Sequence, residues 1–205
     1  MRRTANITQL ESPELCKVFH DIFICLEAIS GYATMLIDGA VRFAPGDYVC
    51  VESRRGHFQI RLPLHGPVAA ALAGQRPHSM QIEIEPRIET RQYACTTDGL
   101  QQAIDGVLFA NFLRYYVTGA TALAEALGSD WRWGKHWRFA WVLRNALAHD
   151  GRLAFRNAQK NAVEWDGLRY DASDNELPVF ERDIGAADLI LLMIDMDIEL
   201  RRSQI

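Results

Sequence analysis

Nowhere in this chain do two cysteines form a CxxC pair, and that absence removes the zinc ribbon and the thioredoxin-like redox motif together. Cys16, Cys25, Cys50 and Cys95 stand apart. Cys16 and Cys25 fall on an apolar helical segment and read as small core residues, reduced in a cytoplasm. No GxGxxG or GKS/T loop is present to cradle phosphates. Long hydrophobic runs are also missing: the apolar stretch 189–194 is far too short to span a bilayer. The two arginines in MRRTANITQLESPEL are followed by no apolar segment, so no secretory signal is read there. His57, His65 and His78 lack ligand-like spacing, so no metal or other cofactor is expected. Neither a repeat of fixed period nor a low-complexity tract occurs. Together these absences predict a soluble cytoplasmic protein with no membrane partner.

What is there suits one folded domain. Over 205 residues, 49% are apolar and 23% charged, enough to build an ordinary core. A net charge of −4 argues against a general nucleic-acid coat. Its distribution is uneven. Residues 131–160 hold seven basic side chains against one acid, and residues 161–200 hold eleven acids against two basic residues. Either neighbouring elements pair their charges, or a local anion site sits in an acidic protein.

Apolar spacing predicts a mainly α fold in the order helix, mixed segment, long helix, helix, small β element, helix. Ser12 can cap a first helix with Pro13 in its first turn. Leu15, Val18, Phe19, Ile22, Leu26, Ile29 and Ala33 then make one apolar face, and Gly39 ends it. Residues 40–91 read as an insertion in a single 1–205 domain, with short strands or irregular structure over 48–51 and 58–62, a strand by alternation over 81–85 and a short helix over 66–73. A long helix follows over Asp98–Leu127, open to a break at Gly106 or Gly119. The next covers 134–149, with Gly151 placed for a positive-φ helix end. Asp166-Gly167 marks a hairpin within 163–170. A last helix over 183–202, capped by Asp183, is apolar nearly all round at its centre, so it is buried in a bundle or shared with a second subunit. Asp195, Asp197 and Glu199 read as its solvated end.

The densest chemical signal lies in residues 137–151. Phe139, Val142, Leu143 and Ala146 share one helical face, and Arg138, Asn145 and His149 fall within about 40° of each other on a neighbouring strip. Arg144 lies about 140° from His149 on an ideal helix. Arg144 must then reach around, or His149 must sit in a loosened last turn, or a second chain must complete the site. Trp131, Trp133, Trp137 and Trp141 are able to stack bases, although the last three recur at helical steps that suit core or dimer packing.

Arg144-Asn145, three residues, then His149 resembles the RNxxxH form of the motif of HEPN domains, and the helix order over residues 98–202 agrees with it. The resemblance implies an antiparallel helical bundle with a small β element after the motif helix. It implies a metal-independent endoribonuclease or RNA-binding protein, with a toxin or defence role and an antitoxin protein as possible partner. It implies a homodimer, through the motif helix or the C-terminal helix. His149 would move protons, Arg144 would clamp phosphate, Asn145 would orient them, and Arg138 and Arg152 would contact substrate. The residue types fit. Histidine transfers protons near neutral pH, and arginine holds several directed donors toward developing negative charge. A non-catalytic interaction protein that uses the same motif for structure is the competing class, and a small-ligand enzyme with its pocket in residues 40–91 is the third.

Overall fold

The computed structural model describes residues 6–10, 12–38, 48–54, 58–63, 80–86, 98–128, 132–155 and 162–202, and helix predominates among them. The expected helix over 66–73, and His57, His65, His78, Trp131 and Cys95, lie outside the described residues.

Helix α1 (Pro13–Asp38) starts as its sequence dictates. Ser12 Oγ accepts from the Leu15 amide at 3.3 Å and Ser12 O from the Cys16 amide at 2.9 Å. Leu15, Val18, Phe19, Ile22 and Leu26 are all buried. Cys16 is buried with them, its thiol donating to Leu10 O at 3.3 Å. Cys25 departs from its expected core role and is exposed, because its position turns it off the apolar face.

Strands β1 (Asn6–Leu10), β2 (Tyr48–Glu52), β3 (Phe58–Pro63) and β4 (Met80–Pro86) form one antiparallel sheet in the order β1-β4-β3-β2. β4 falls where alternation placed a strand, and β2 and β3 settle as strands two segments that the sequence left open between strand and irregular structure. β1 was not anticipated: Asn6 pairs with Ile84, so the sheet draws an edge strand from before α1 and is not confined to residues 40–91. Val51, Ile60 and Ile84 stand opposite one another and are buried, as are Phe58, Leu62 and Ile82. The other face is polar: Arg61 pairs with Glu83 and Glu85, and its guanidinium lies 4.6 Å from the Tyr48 ring centre.

The second half of the chain contains α2 (Asp98–Leu127), α3 (Lys135–Leu147), the hairpin β5 (Val163–Trp165) and β6 (Leu168–Tyr170), the short α4 (Val179–Arg182) and α5 (Ala186–Arg202). Positive φ at Asp166 (45°) and Gly167 (79°) closes the hairpin with the expected Asp-Gly turn. Helix α2 passes through Gly106 and Gly119 unbroken, where a break was open. At Gly119 the reason is contact: the Trp137 ring lies where a Cβ would stand, with Cζ2 at 2.8 Å and Cζ3 at 2.9 Å from that position.

Helix α5 is the hub. It touches α1, α2, α3, β2 and β3, and residues 186–194 are all buried by the rest of the chain. Its start corrects the expected cap. Asp183 closes α4 instead and accepts from Tyr170 Oη at 2.8 Å and from Arg182. The α5 start is served by Asp188, which is fully buried and accepts from Gly185 N at 2.9 Å, Ser53 Oγ at 2.8 Å and Arg54 N at 2.8 Å. One carboxylate therefore fastens the end of β2 to the head of the central helix. Asp188→Ala leaves these donors without their acceptor and is expected to cost about 2 kcal/mol, against about 1 kcal/mol for Ser53→Ala, in urea unfolding. Equal midpoints for parent and both variants would refute the fastening role.

Nor is the acidic end of α5 a solvated fringe. Asp195 accepts from Trp165 Nε1 at 2.8 Å. Asp197, 2% exposed, accepts from Tyr115 Oη at 3.0 Å and pairs with Arg201 at 2.9 Å. Burial pushes the Tyr115 phenol far above its ordinary range, and the facing Asp197 carboxylate adds to the rise. Glu199 reaches the head of α3. Hydrogen bonds from neutral donors on other elements thus engage three of the acids in residues 161–200.

Candidate functional site

The motif helix α3 is held on its inner face by six buried residues: Trp137, Phe139, Ala140, Val142, Leu143 and Ala146. Phe139 stacks on Tyr170 and packs near Trp165, each at 5.6 Å between ring centres, which seats the β5–β6 hairpin against the helix. Trp137 donates its indole N–H to Met196 O at 3.0 Å, tying α3 to α5.

The head of α3 has no side-chain cap of its own, since Gly134 occupies the N-cap. Glu199 supplies the acceptor from α5: it takes the His136 amide at 3.0 Å, and its carboxylate fills the space beside Gly134 that a Cβ would need. Partial burial works to raise the Glu199 pKa. The His136 ring beside it and the amides of His136 and Trp137 outweigh that and hold the carboxyl below its ordinary 4.5. A depressed carboxyl stabilises the fold above its ordinary pKa, and that contribution disappears as pH falls through the lowered value. Glu199→Gln is expected to lower stability near neutrality by about 1 kcal/mol. It should also flatten the acid loss seen below about pH 4.5 in the parent, read from urea midpoints across that range. Parallel pH curves for the two proteins would contradict the capping charge.

The other end of α3 carries the motif, and here the helix stops short of the expected boundary. It ends at Leu147. The His149 and Gly151 amides both fold back to Ala146 O at 2.9 Å, while Asp150 and Gly151 take φ of 52° and 78°. His149 therefore stands in a loosened turn, the second of the three arrangements open from the spacing. This turn is pinned from the C-terminal side. Gly151 O accepts from Val179 N at 3.0 Å, Leu153 N donates to Leu177 O at 3.0 Å, and Glu176 N donates to Leu153 O at 2.9 Å. Asn175 Oδ1 takes the Phe155 amide at 2.6 Å. No motif spacing announces Asn175, Leu177 or Glu199, because each acts across a large sequence separation.

Around this pinned turn the candidate side chains behave differently. Arg144 is exposed and donates from Nη1 to Asn145 Oδ1 at 3.1 Å. Asn145 thus meets Arg144, where the sequence left it free to meet His149. His149 is exposed, and no hydrogen bond or ion pair engages its ring among the described residues. Arg152 is exposed but donates to Glu176 O at 2.8 Å, so part of its guanidinium serves the turn. Arg138 lies two turns before Asn145 on the same strip and is partly buried, its Nε without an acceptor among the described residues. Arg144, Asn145 and His149 are gathered at one end of α3, with Arg152 just past the turn and Arg138 back along the helix. Among the described residues no group of three His, Cys, Asp or Glu side chains could hold a metal ion, and no helix is long and apolar enough to cross a membrane. Comparison with protein-family models, curated proteins and solved structures gives no match.

Proposed function

We propose that this chain is a HEPN-like, metal-independent endoribonuclease whose site is the end of α3. The observation that carries the reading is the idleness of the motif in the fold. The Arg144 side chain bonds only to its neighbour Asn145, and the His149 ring to nothing among the described residues, although Arg144 stands in the last turn of α3 and His149 in the pinned turn that follows it. If the motif served structure, its two polar side chains would bond to the C-terminal segment. Only Arg152 does so.

In this mechanism His149 takes the proton of a ribose 2′-hydroxyl, the 2′ oxygen attacks the adjacent phosphorus, and the bond to the 5′ oxygen breaks. The leaving oxygen takes a proton from the imidazolium or from water. Arg144 faces the oxygens that gain charge in the transition state, steadied by Asn145. One fragment ends in a 2′,3′-cyclic phosphate and the other in a 5′-hydroxyl. DNA, without the 2′-hydroxyl, is not cut.

The test is incubation of labelled single-stranded RNA and DNA in excess chelator with the parent and with His149→Ala. The expected result is RNA cut to cyclic-phosphate ends by the parent alone, with DNA intact. Equal RNA loss with both proteins would end this reading in favour of a non-catalytic interaction protein.

A further inference from the structure

Trp133, Trp137 and Trp165 are 8%, 0% and 4% exposed, turned into the core. Trp141 is the one described tryptophan that packs on the core with part of its ring still open. Its surroundings follow from its place on α3. Arg138 stands three residues before it, Arg144 three after and Asn145 four after, and such steps make neighbours on a helix surface. By helical spacing a half-buried indole is thus flanked by two arginine positions and by the asparagine that bonds one of them. Arg138 adds a second sign of an unfilled site: its Nε is shielded from solvent without an acceptor among the described residues.

Charge decides what fits there. A second copy laid on this face would bring Arg138 and Arg144 against their own like, at a cost in repulsion. A nucleic-acid strand brings phosphates to the guanidiniums and a flat π surface to the indole. In a duplex the base faces are covered by their neighbours, and only an unpaired base has a face to offer.

We infer that Trp141 is the stacking platform for an unpaired base next to the phosphate that Arg144 holds, and so the residue by which the site separates unpaired from paired RNA. Trp141 acts on specificity and not on proton transfer. The identity of the ligand rests on the endoribonuclease reading, while the platform itself is tested by binding.

The experiment uses the full chain in a His149→Ala background, so that bound RNA survives. A labelled single-stranded oligoribonucleotide, and the same strand annealed to its complement, are titrated against this protein and against versions carrying Trp141→Phe or Trp141→Leu. Stacking of one base on an aromatic ring corresponds to roughly 5- to 150-fold in affinity. Trp141→Leu, which keeps apolar bulk, is therefore expected to lose that factor for the single strand, with Trp141→Phe in between and duplex binding unchanged. Unchanged single-strand affinity in Trp141→Leu would overturn the platform while leaving RNA recognition intact. Absence of RNA binding by the His149→Ala protein and the parent alike would overturn both readings. If Trp141→Leu instead dissociates an RNA-free dimer, measured by light scattering, a second copy covers the indole and the platform is refuted.

Discussion

Arg144→Ala is expected to slow RNA scission by about 10²–10³-fold, and His149→Ala by about 10²–10⁴-fold, without loss of fold. The two halves of that statement come from different observations. The rate loss follows from the chemistry proposed for the pair: a fixed cation for the transition-state charge and a proton carrier for the 2′-hydroxyl. The intact fold follows from their surroundings. Both side chains are exposed, and the only bond either makes to a described residue joins Arg144 to Asn145. Exposed substitutions away from packing and caps usually change stability by less than about 0.5 kcal/mol. Arg144→Lys separates charge from geometry, since lysine keeps the charge and loses the bidentate fork, and an intermediate rate is expected. Single-turnover scission and thermal melting of the same preparations provide the check. A rate loss that merely follows a lowered melting temperature would reassign the motif to structure.

Gly119→Ala is expected to destabilise the protein by about 3 kcal/mol, at the upper end of overpacking costs. The sign is the informative part. Replacing a mid-helix glycine by alanine ordinarily stabilises by about 0.5–1 kcal/mol. That gain should be seen at Gly106, where an added Cβ meets nothing within 4 Å. At Gly119 the new methyl group meets the Trp137 ring, which cannot swing aside. It is fully buried, its N–H is bound to Met196 O at 3.0 Å, and Tyr115 and Tyr116 lie 6.0 and 6.1 Å away. Either α2 or α3 must shift. Urea midpoints of the two variants should therefore move in opposite directions, and a stabilised Gly119→Ala would contradict the packing described.

Much of this arrangement was legible in the chain itself, where local rules govern. Ser12 and Pro13 set the start of α1, the three- and four-residue steps of Phe139, Val142, Leu143 and Ala146 set the inner face of α3, and Asp166-Gly167 set the hairpin. Elements decided by remote partners were not legible. β1 has little alternation of its own and becomes a strand by pairing with β4. Asp183 has the chemistry of a cap, but the bond from Tyr170 and the Asp188 cluster move the helix start to Ala186. Asp197 and Glu199 look like solvent-facing acids until Tyr115 and the bare head of α3 are brought against them. At the candidate site, type and spacing single out the motif residues, and the fold gathers Arg144, Asn145 and His149 at one end of α3. The loosened turn that frees His149 from helical phase depends on Leu177 and Val179, which no local rule connects to it.

The position of α5 in the chain has a consequence for synthesis. The helix on which α1, α2, α3 and two strands of the sheet converge is translated after all of them. During elongation α1 and α2 can pack on each other and the strands can pair, but the apolar faces these elements turn toward α5 wait until residues 186–194 leave the ribosome. A chain interrupted before that point carries the Arg144 and His149 motif but not the centre that holds it in place. Packing of the motif helix against its central support is thereby deferred until α5 has been made.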